Sequence, residues 1–255
     1  MEPLEPETYE TLAREAKKRK QGCCCGLGCL GMVLLFILSL SSIGPHESTL
    51  RLGCTNNAKR IMLGLHVYHD KYKSLLPAYS TDENGKPLHS WRVLILPYIE
   101  QYELYKQIRL DEPWDSKYNR QFHDKMPSCY WCPSAFQNRS IFSTRDTDKT
   151  GMTCYMRVVG PGTTTTGADA ISLADVKAVL SQSVALVEVY PTVNWMAPVD
   201  VSPEDLATGI NRKKKQGIGS FHYGGMNIAM LDGSVDYVPD AEVPALAEKA
   251  IIPQE

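Results

Sequence analysis

Met226-Asn-Ile-Ala-Met-Leu231 and Ser234-Val-Asp-Tyr-Val238 flank the dipeptide Asp232-Gly233. Two runs of strand-forming residues around Asp-Gly predict a β-hairpin, and the dipeptide suits a type I′ turn. Working back from this hairpin, Ser183 to Tyr190 reads as a short, strongly apolar strand. Met152 to Val159 reads as another, ending at Gly160-Pro161-Gly162. Beyond the hairpin, Ala241 to Ile251 reads as a closing helix. Before Pro127 the pattern is helical. Leu50, Cys54, Ala58, Ile61, Leu65, Tyr68 and Tyr72 recur at spacings of three and four, an apolar stripe on one helix that Ser48 can cap. Ser90 is placed to cap a short helix, Trp91 to Leu96, which Pro97 bends or ends. Glu100 to Ile108 is again helix-like, and Ser116 can start a short helix through Asp124. Helices come first and strands gather later, which predicts an α+β fold with a mainly antiparallel sheet.

Residues 23–43 carry no charge. At 1.5 Å per residue, such a helix reaches about 30 Å, the thickness of a bilayer's hydrocarbon core. Lys17, Lys18, Arg19 and Lys20 precede it, and basic residues stay on the cytoplasmic side. The reading is a cytoplasmic tail (1–22), a single transmembrane helix (23–43) acting as a signal-anchor, and an extracytoplasmic domain (44–255). The competing reading is a cleaved signal peptide with Ser39 and Ser41 near the cut. Against it, the apolar run exceeds the roughly 7–15 residues of a signal core. Cys23, Cys24, Cys25 and Cys29 open the run as small apolar residues; adjacent positions on a helix cannot all face one ion. Gly44-Pro45 then breaks the chain. The formal net charge of −2 gives no general case for a nucleic-acid partner.

Several side chains carry chemical potential. His222 and Asp232 could share a metal, or Asp232 could orient His222 for base catalysis, if a hairpin brought them close, but no third ligand stands out. The structural reading is a clamp: Asp232 and Gly233 in the turn, His222 bonded to the sheet edge. Glu188 lies inside Val184-Ala-Leu-Val-Glu-Val189, where a charge is costly unless paired; it is either on a solvated face or meets Arg92 or His222, the buried pair being the expectation. His66 and His69 share a helix face beside Asp70, half of a metal site at most. Cys129 and Cys132 have Cys-x-x-Cys spacing, yet Cys54 and Cys154 are not spaced as a second zinc pair, and Pro133 follows without a thioredoxin-like unit. Arg212 and Lys213-Lys214-Lys215 form a basic loop run, solvated or in contact with anionic lipid or polysaccharide. Trp91, Trp114, Trp131 and Trp195 could line a sugar site or equally belong to the core.

Taken together, further stretches carry a resemblance. They are Cys54-Thr-Asn-Asn-Ala-Lys59, Gly64-Leu-His-Val-Tyr-His69, Leu88-His-Ser-Trp-Arg-Val-Leu-Ile-Leu-Pro97 and Leu110-Asp-Glu-Pro-Trp-Asp115. Cys132-Pro-Ser134, Val159-Gly-Pro-Gly-Thr163, Trp195-Met-Ala-Pro198 with Asp200, and His222 nine residues before Asp232-Gly233 complete the set. In this order they resemble a large bacterial prepilin-like family catalogued as domain of unknown function 1559, also labelled a solute-binding group. The likeness spans about Cys54 to Val238. It implies a pilin-like shape, in which a membrane helix runs into a helical spine packed on a sheet. It also implies a bridge from Cys54 to Cys132, with Cys129 and Cys154 as additions that could form a second. The chain departs from the family at Gly22-Cys-Cys-Cys-Gly26, where the prepilin leader motif and its glutamate are absent, so the resemblance does not carry leader cleavage or pilus assembly to it.

The resulting expectation is a non-enzymatic protein of the cell envelope, anchored in the cytoplasmic (inner) membrane by a single pass with its N-terminus inside. Its ectodomain would act as an interaction or scaffold module, its partners being the membrane, other envelope proteins or extracellular glycan. The alternative is a solute- or glycan-binding module. No catalytic residue, cofactor or metal ligand is assigned, and a hydrolase has no nucleophile–base set or phosphate loop to rest on.

Overall fold

The computed structural model describes residues 47–137, 151–176, 180–190, 193–210 and 217–251. The expected span 23–43, its cysteines and the basic run 212–215 lie outside those residues. Among the described residues no helix is long and apolar enough to cross a membrane. By its contacts the chain divides into Met1–His46 and Glu47–Glu255, and every element named here belongs to the second unit.

Helix α1 spans Glu47–Tyr72 and buries Leu50, Cys54, Ala58, Ile61 and Leu65, together with Met62 and Gly64. The apolar stripe therefore faces the core for most of its length. It leaves the core at the C-terminal end, where Tyr68 is half-buried and Tyr72 exposed. There the two tyrosines pack on each other, and Tyr68 meets the edge of the Tyr98 ring at 5.7 Å. Gly64 sets the closest approach: a Cβ built there would stand 2.6 Å from Ile99 Cγ2 and 2.9 Å from Ile95 Cδ1. A side chain at residue 64 would hold the helix off the segment that covers it.

A small hairpin, β1 (Tyr79–Thr81) and β2 (Pro87–Ser90), follows; the sequence pattern did not reveal it. Its connection is organised by Asp82, whose carboxylate accepts from the amides of Asn84 and Lys86. Ser90 caps α2 (Trp91–Leu94) by accepting from Arg92 N, as expected, and Pro97 falls in a 3-10 turn. The next two expected helices are shorter than expected. One is α3 (Tyr102–Tyr105), and the other is a 3-10 turn, Asn119–Phe122, with Ser116 Oγ accepting from Asn119 N. Then come α4 (Pro133–Gln137), β3 (Tyr155–Arg157), β4 (Val184–Glu188), α5 (Pro203–Ala207), β5 (Gly225–Met230), β6 (Val235–Pro239) and α6 (Leu246–Ala250).

Strands β3-β4-β5-β6 form one antiparallel sheet in that order. Helix α1 packs across β5 and β6 on one face. That core includes Ile61, Leu65, Trp91, Trp195, Leu186 and Ala229. The other face buries Met156, Val187, Met226 and Ile228 with Leu206, Val243 and Leu246 from the segments of α5 and α6. With both faces covered, all five residues of β4 are buried, Glu188 included. The fold is α+β with antiparallel sheets.

The β5–β6 connection corrects one expectation. A type I′ turn needs two left-handed residues, and only Gly233 is left-handed here (φ 87°). Gly233 N donates to Met230 O, and Met230 N donates to Ser234 O. That is a type I turn closed by a glycine bulge, one loop residue longer than a two-residue hairpin. The extra residue is Leu231, which is drawn out of the ladder because its side chain is buried in the core and its amide donates to Ser183 O.

Candidate functional site

Register fixes a row of side chains on the face of the sheet below α1. Tyr155 pairs with Glu188 across β3–β4, and Asn227 pairs with Tyr237 across β5–β6. Glu188 and Asn227 are joined directly: Asn227 N donates to Oε2 at 2.8 Å and Asn227 Nδ2 donates to Oε1 at 3.0 Å. The first turns of α1 lie over this row. Tyr155 OH donates to Cys54 O, Thr55 Oγ1 donates to Asn227 Oδ1, and the Arg51 guanidinium sits 4.3 Å from the Tyr237 ring centre.

Into the same space come two further residues. Cys132 stands immediately before α4, and its Sγ is 2.9 Å from Cys54 Sγ. His222 lies on the approach to β5. Its Nε2 faces Glu188 Oε1 at 3.6 Å and Cys132 Sγ at 3.9 Å. Its Nδ1 faces Glu47 Oε1 at 2.5 Å and Ser134 Oγ at 3.2 Å. One donor atom from each of Cys54, Cys132, Glu188 and His222 lies within 4.8 Å of all the others, and all four residues are buried.

The electrostatics follow from this crowding. The Cys54 thiol hydrogen-bonds to Cys132 and, with help from His222, holds the Cys132 thiol down to about 7 against the cost of burial. Cys54, on the donating side and close to the Glu188 charge, is pushed far up. Burial works to keep His222 neutral, but its bonds to Cys132 and Glu188 and their negative charge outweigh it and raise the imidazole to about 10. A cysteine with a lowered pKa beside a histidine resembles the start of a nucleophilic pair. Here Cys132 is only 2 % exposed and His222 1 %, which leaves a substrate no approach. The arrangement is equipped instead to bond internally or to hold an ion.

The structure places the other sequence candidates as follows. His222 and Asp232 do not meet. They flank opposite ends of β5, whose six residues span roughly 17 Å at about 3.3 Å per step. Asp232 is exposed in the turn, where its Oδ1 accepts from Ser234 N and Oγ. Cys54, Cys129, Cys132 and Cys154 are all free thiols, so neither expected bridge is formed, although Cys54 and Cys132 are adjacent. Glu188 finds His222 and not Arg92; Arg92 pairs with Asp200. His66 Nε2 binds Leu231 O and His69 Nε2 accepts from Leu173 N, so the two histidines tie α1 to different loops. Trp91 and Trp195 are fully buried. Their indole N–H groups donate to Asp200 Oδ1 and to the carbonyls of Phe122 and His123. Trp114 and Trp131 are half-buried against the same core, Trp114 stacked on His123. None of the four lines the cavity beside Asp200 or the one between β6 and α6.

A family model matches residues 47–179 and 171–242. The chain belongs to that family, described as a protein of unknown function, DUF1559. No curated protein and no solved structure matches it. All four converging residues, and Glu47 with them, fall within the stretch matched to DUF1559. Sequence reading of this DUF1559 chain singled out His222 as a partner for Asp232 or for Glu188, and Cys54 and Cys132 for a bridge. The one signal pointing to a shared centre was the carboxylate of Glu188 inside an apolar strand.

Proposed function

We propose that this protein is a membrane-anchored component of the cell envelope whose extracytoplasmic, pilin-like domain works by interaction or scaffolding. The observation that carries this reading is the outer face of α1. The helix is 26 residues long, about 39 Å at 1.5 Å per residue. On the side away from the sheet, Leu52, Leu63 and Val67 are 61, 65 and 42 % exposed. Leu63 and Val67 are neighbours at i, i+4, and Leu52 lies on the same line of the helix about three turns earlier, with Asn56 and Lys59 between. Exposed apolar side chains along a spine helix suit docking against another helix of an envelope assembly. The uncharged run 23–43, just ahead of α1, supports anchorage and N-terminus-inside topology. The burial of Trp91 and Trp195 weighs against the glycan-binding alternative, which needs exposed aromatic platforms.

The test is site-specific photocrosslinking in intact cells from Leu63, with Glu103 as a control position off the stripe. A discrete crosslinked partner from Leu63 only, lost in Leu52→Lys/Val67→Lys with an unchanged melting curve, is the expected result. Crosslinking from both positions alike, or from neither, would remove the basis for this reading. Protease protection supplies the topology: Lys215 should be accessible from outside and Glu5 protected.

A further inference from the structure

We propose that Cys54, Cys132, Glu188 and His222 form a closed, four-ligand site for a zinc ion that staples α1 to the sheet. The donor set is two thiolates, one imidazole and one carboxylate, a combination that suits tetrahedral Zn²⁺ and offers little to the hard cations Ca²⁺ and Mg²⁺. With metal–ligand bonds of about 2.0–2.3 Å, tetrahedral ligands stand about 3.3–3.8 Å from one another. The His222–Glu188 separation of 3.6 Å falls in that range, the Cys132–His222 separation of 3.9 Å is just above it, and all four donor atoms lie within 4.8 Å of one another. The sulfurs, at 2.9 Å, must part by somewhat under an ångström to admit the ion.

The surroundings complete the case. A ligating histidine characteristically donates its other ring N–H to a carboxylate, which fixes the tautomer and aims the ring. His222 does this: Nδ1 is held by Glu47 and Nε2 points at the cluster. The ligating carboxylate is likewise oriented, by the amide and side chain of Asn227. The four ligands come from α1, the residue before α4, the end of β4 and the approach to β5, segments far apart in sequence. All are buried, which leaves no open coordination position and makes the role structural. On loading, any thiol protons still present and the Nε2 proton of a charged His222 are released to solvent, the Nδ1 proton staying on the Glu47 contact, and no electron is transferred.

The competing fate of the same sulfurs is a Cys54–Cys132 disulfide, which would consume two ligands, so the experiment separates the two. The full chain is purified in mild detergent under reducing conditions, stripped with a chelator, and titrated with Zn²⁺ and with Co²⁺ as a spectroscopic stand-in. The expected result is one equivalent bound per chain, with thiolate-to-cobalt charge transfer and tetrahedral d–d bands. Zinc-edge X-ray absorption on the wild-type protein should show two sulfur and two lighter neighbours. Glu188→Gln and Cys132→Ser should each weaken binding at least tenfold, and Cys129→Ser should not. If a ligand variant fails to fold, the wild-type absorption shell decides alone. A reduced chain with all its thiols titratable that takes up neither metal would overturn the proposal. So would a bound ion with no sulfur neighbours, or a chain isolated as the Cys54–Cys132 disulfide that still takes no metal after reduction.

Discussion

Asp200 meets Arg92 at 2.7 Å with the arginine side chain wholly buried and the aspartate 4 % exposed. The same Oδ1 accepts from Trp91 Nε1 at 2.9 Å and from Arg157 N at 3.0 Å. Arg92 Nε donates to Tyr155 O and its Nη1 to Ser90 Oγ. This ion pair therefore joins β2, α2 and β3 to the loop before α5.

Removing one member of a buried pair strands the other, at a cost of about 3–5 kcal/mol. Asp200→Ala and Arg92→Met should each show a loss of that order in urea unfolding. The double variant Arg92→Met/Asp200→Leu should lose less than the sum, since neither member of the pair is left without the other. Strict additivity would mean that the pair is not coupled.

Gly64→Val tests the approach of α1 to Ile95 and Ile99. Overpacking a closed contact costs about 1–3 kcal/mol. Thermal unfolding should show that loss for valine and a smaller one for Gly64→Ala. Ile99→Ala made alongside Gly64→Val should restore part of it. An unchanged melting temperature for Gly64→Val would show that the helix can move away freely.

In the hairpin turn, Gly233 carries the left-handed conformation. A β-branched residue there costs about 1–2 kcal/mol from backbone strain. Gly233→Val should therefore destabilise more than Asp232→Ala, which removes only the exposed bonds to Ser234. Both are read by equilibrium denaturation, and the reverse order would refute the turn assignment.

His89 predicts a pH dependence. Its Nε2 binds the carbonyls of Arg109 and Glu112. Its Nδ1 is buried without a hydrogen-bond partner among the described residues. Burial depresses the imidazole below its ordinary 6.5, against the carbonyls that favour the charged form. Below 6.5 the unfolded chain thus binds more protons than the folded one at this residue. Its contribution is whole above 6.5 and is lost as the pH falls towards the depressed value. Unfolding free energies between about pH 7.5 and pH 5.5 should fall more steeply in the wild type than in His89→Gln. Equal slopes would mean that His89 titrates normally.

How much of this was legible beforehand depended on the range of the interaction. The three–four spacing from Leu50 to Leu65 located α1, because helix burial repeats locally. The apolar strand around Leu186 and the hairpin runs around Ile228 were visible for the same reason. The β1–β2 hairpin was missed, since Tyr79–Thr81 is only three residues long and too short to show a period. The turn type was misjudged because the burial of Leu231 is a tertiary matter. The centre was legible as separate anomalies: a charge in a strand at Glu188, a paired thiol at Cys132, a histidine in a motif at His222. Nothing local could join them, for Cys54 and Cys132 are 78 positions apart and Cys132 and His222 90. Only the alignment of Glu188 with Asn227 beneath the first turns of α1 brings them together.

Glu47, the first residue of α1, is also the residue that holds His222, and Cys54 lies two turns further on. A mechanical pull arriving along the chain from its N-terminal side enters α1 at that end. It meets the Glu47–His222 contact and the Cys54 turn before it reaches Ile61 and Leu65 deeper along the helix. Resistance to peeling α1 off the sheet is thus concentrated at the helix's N-terminal end.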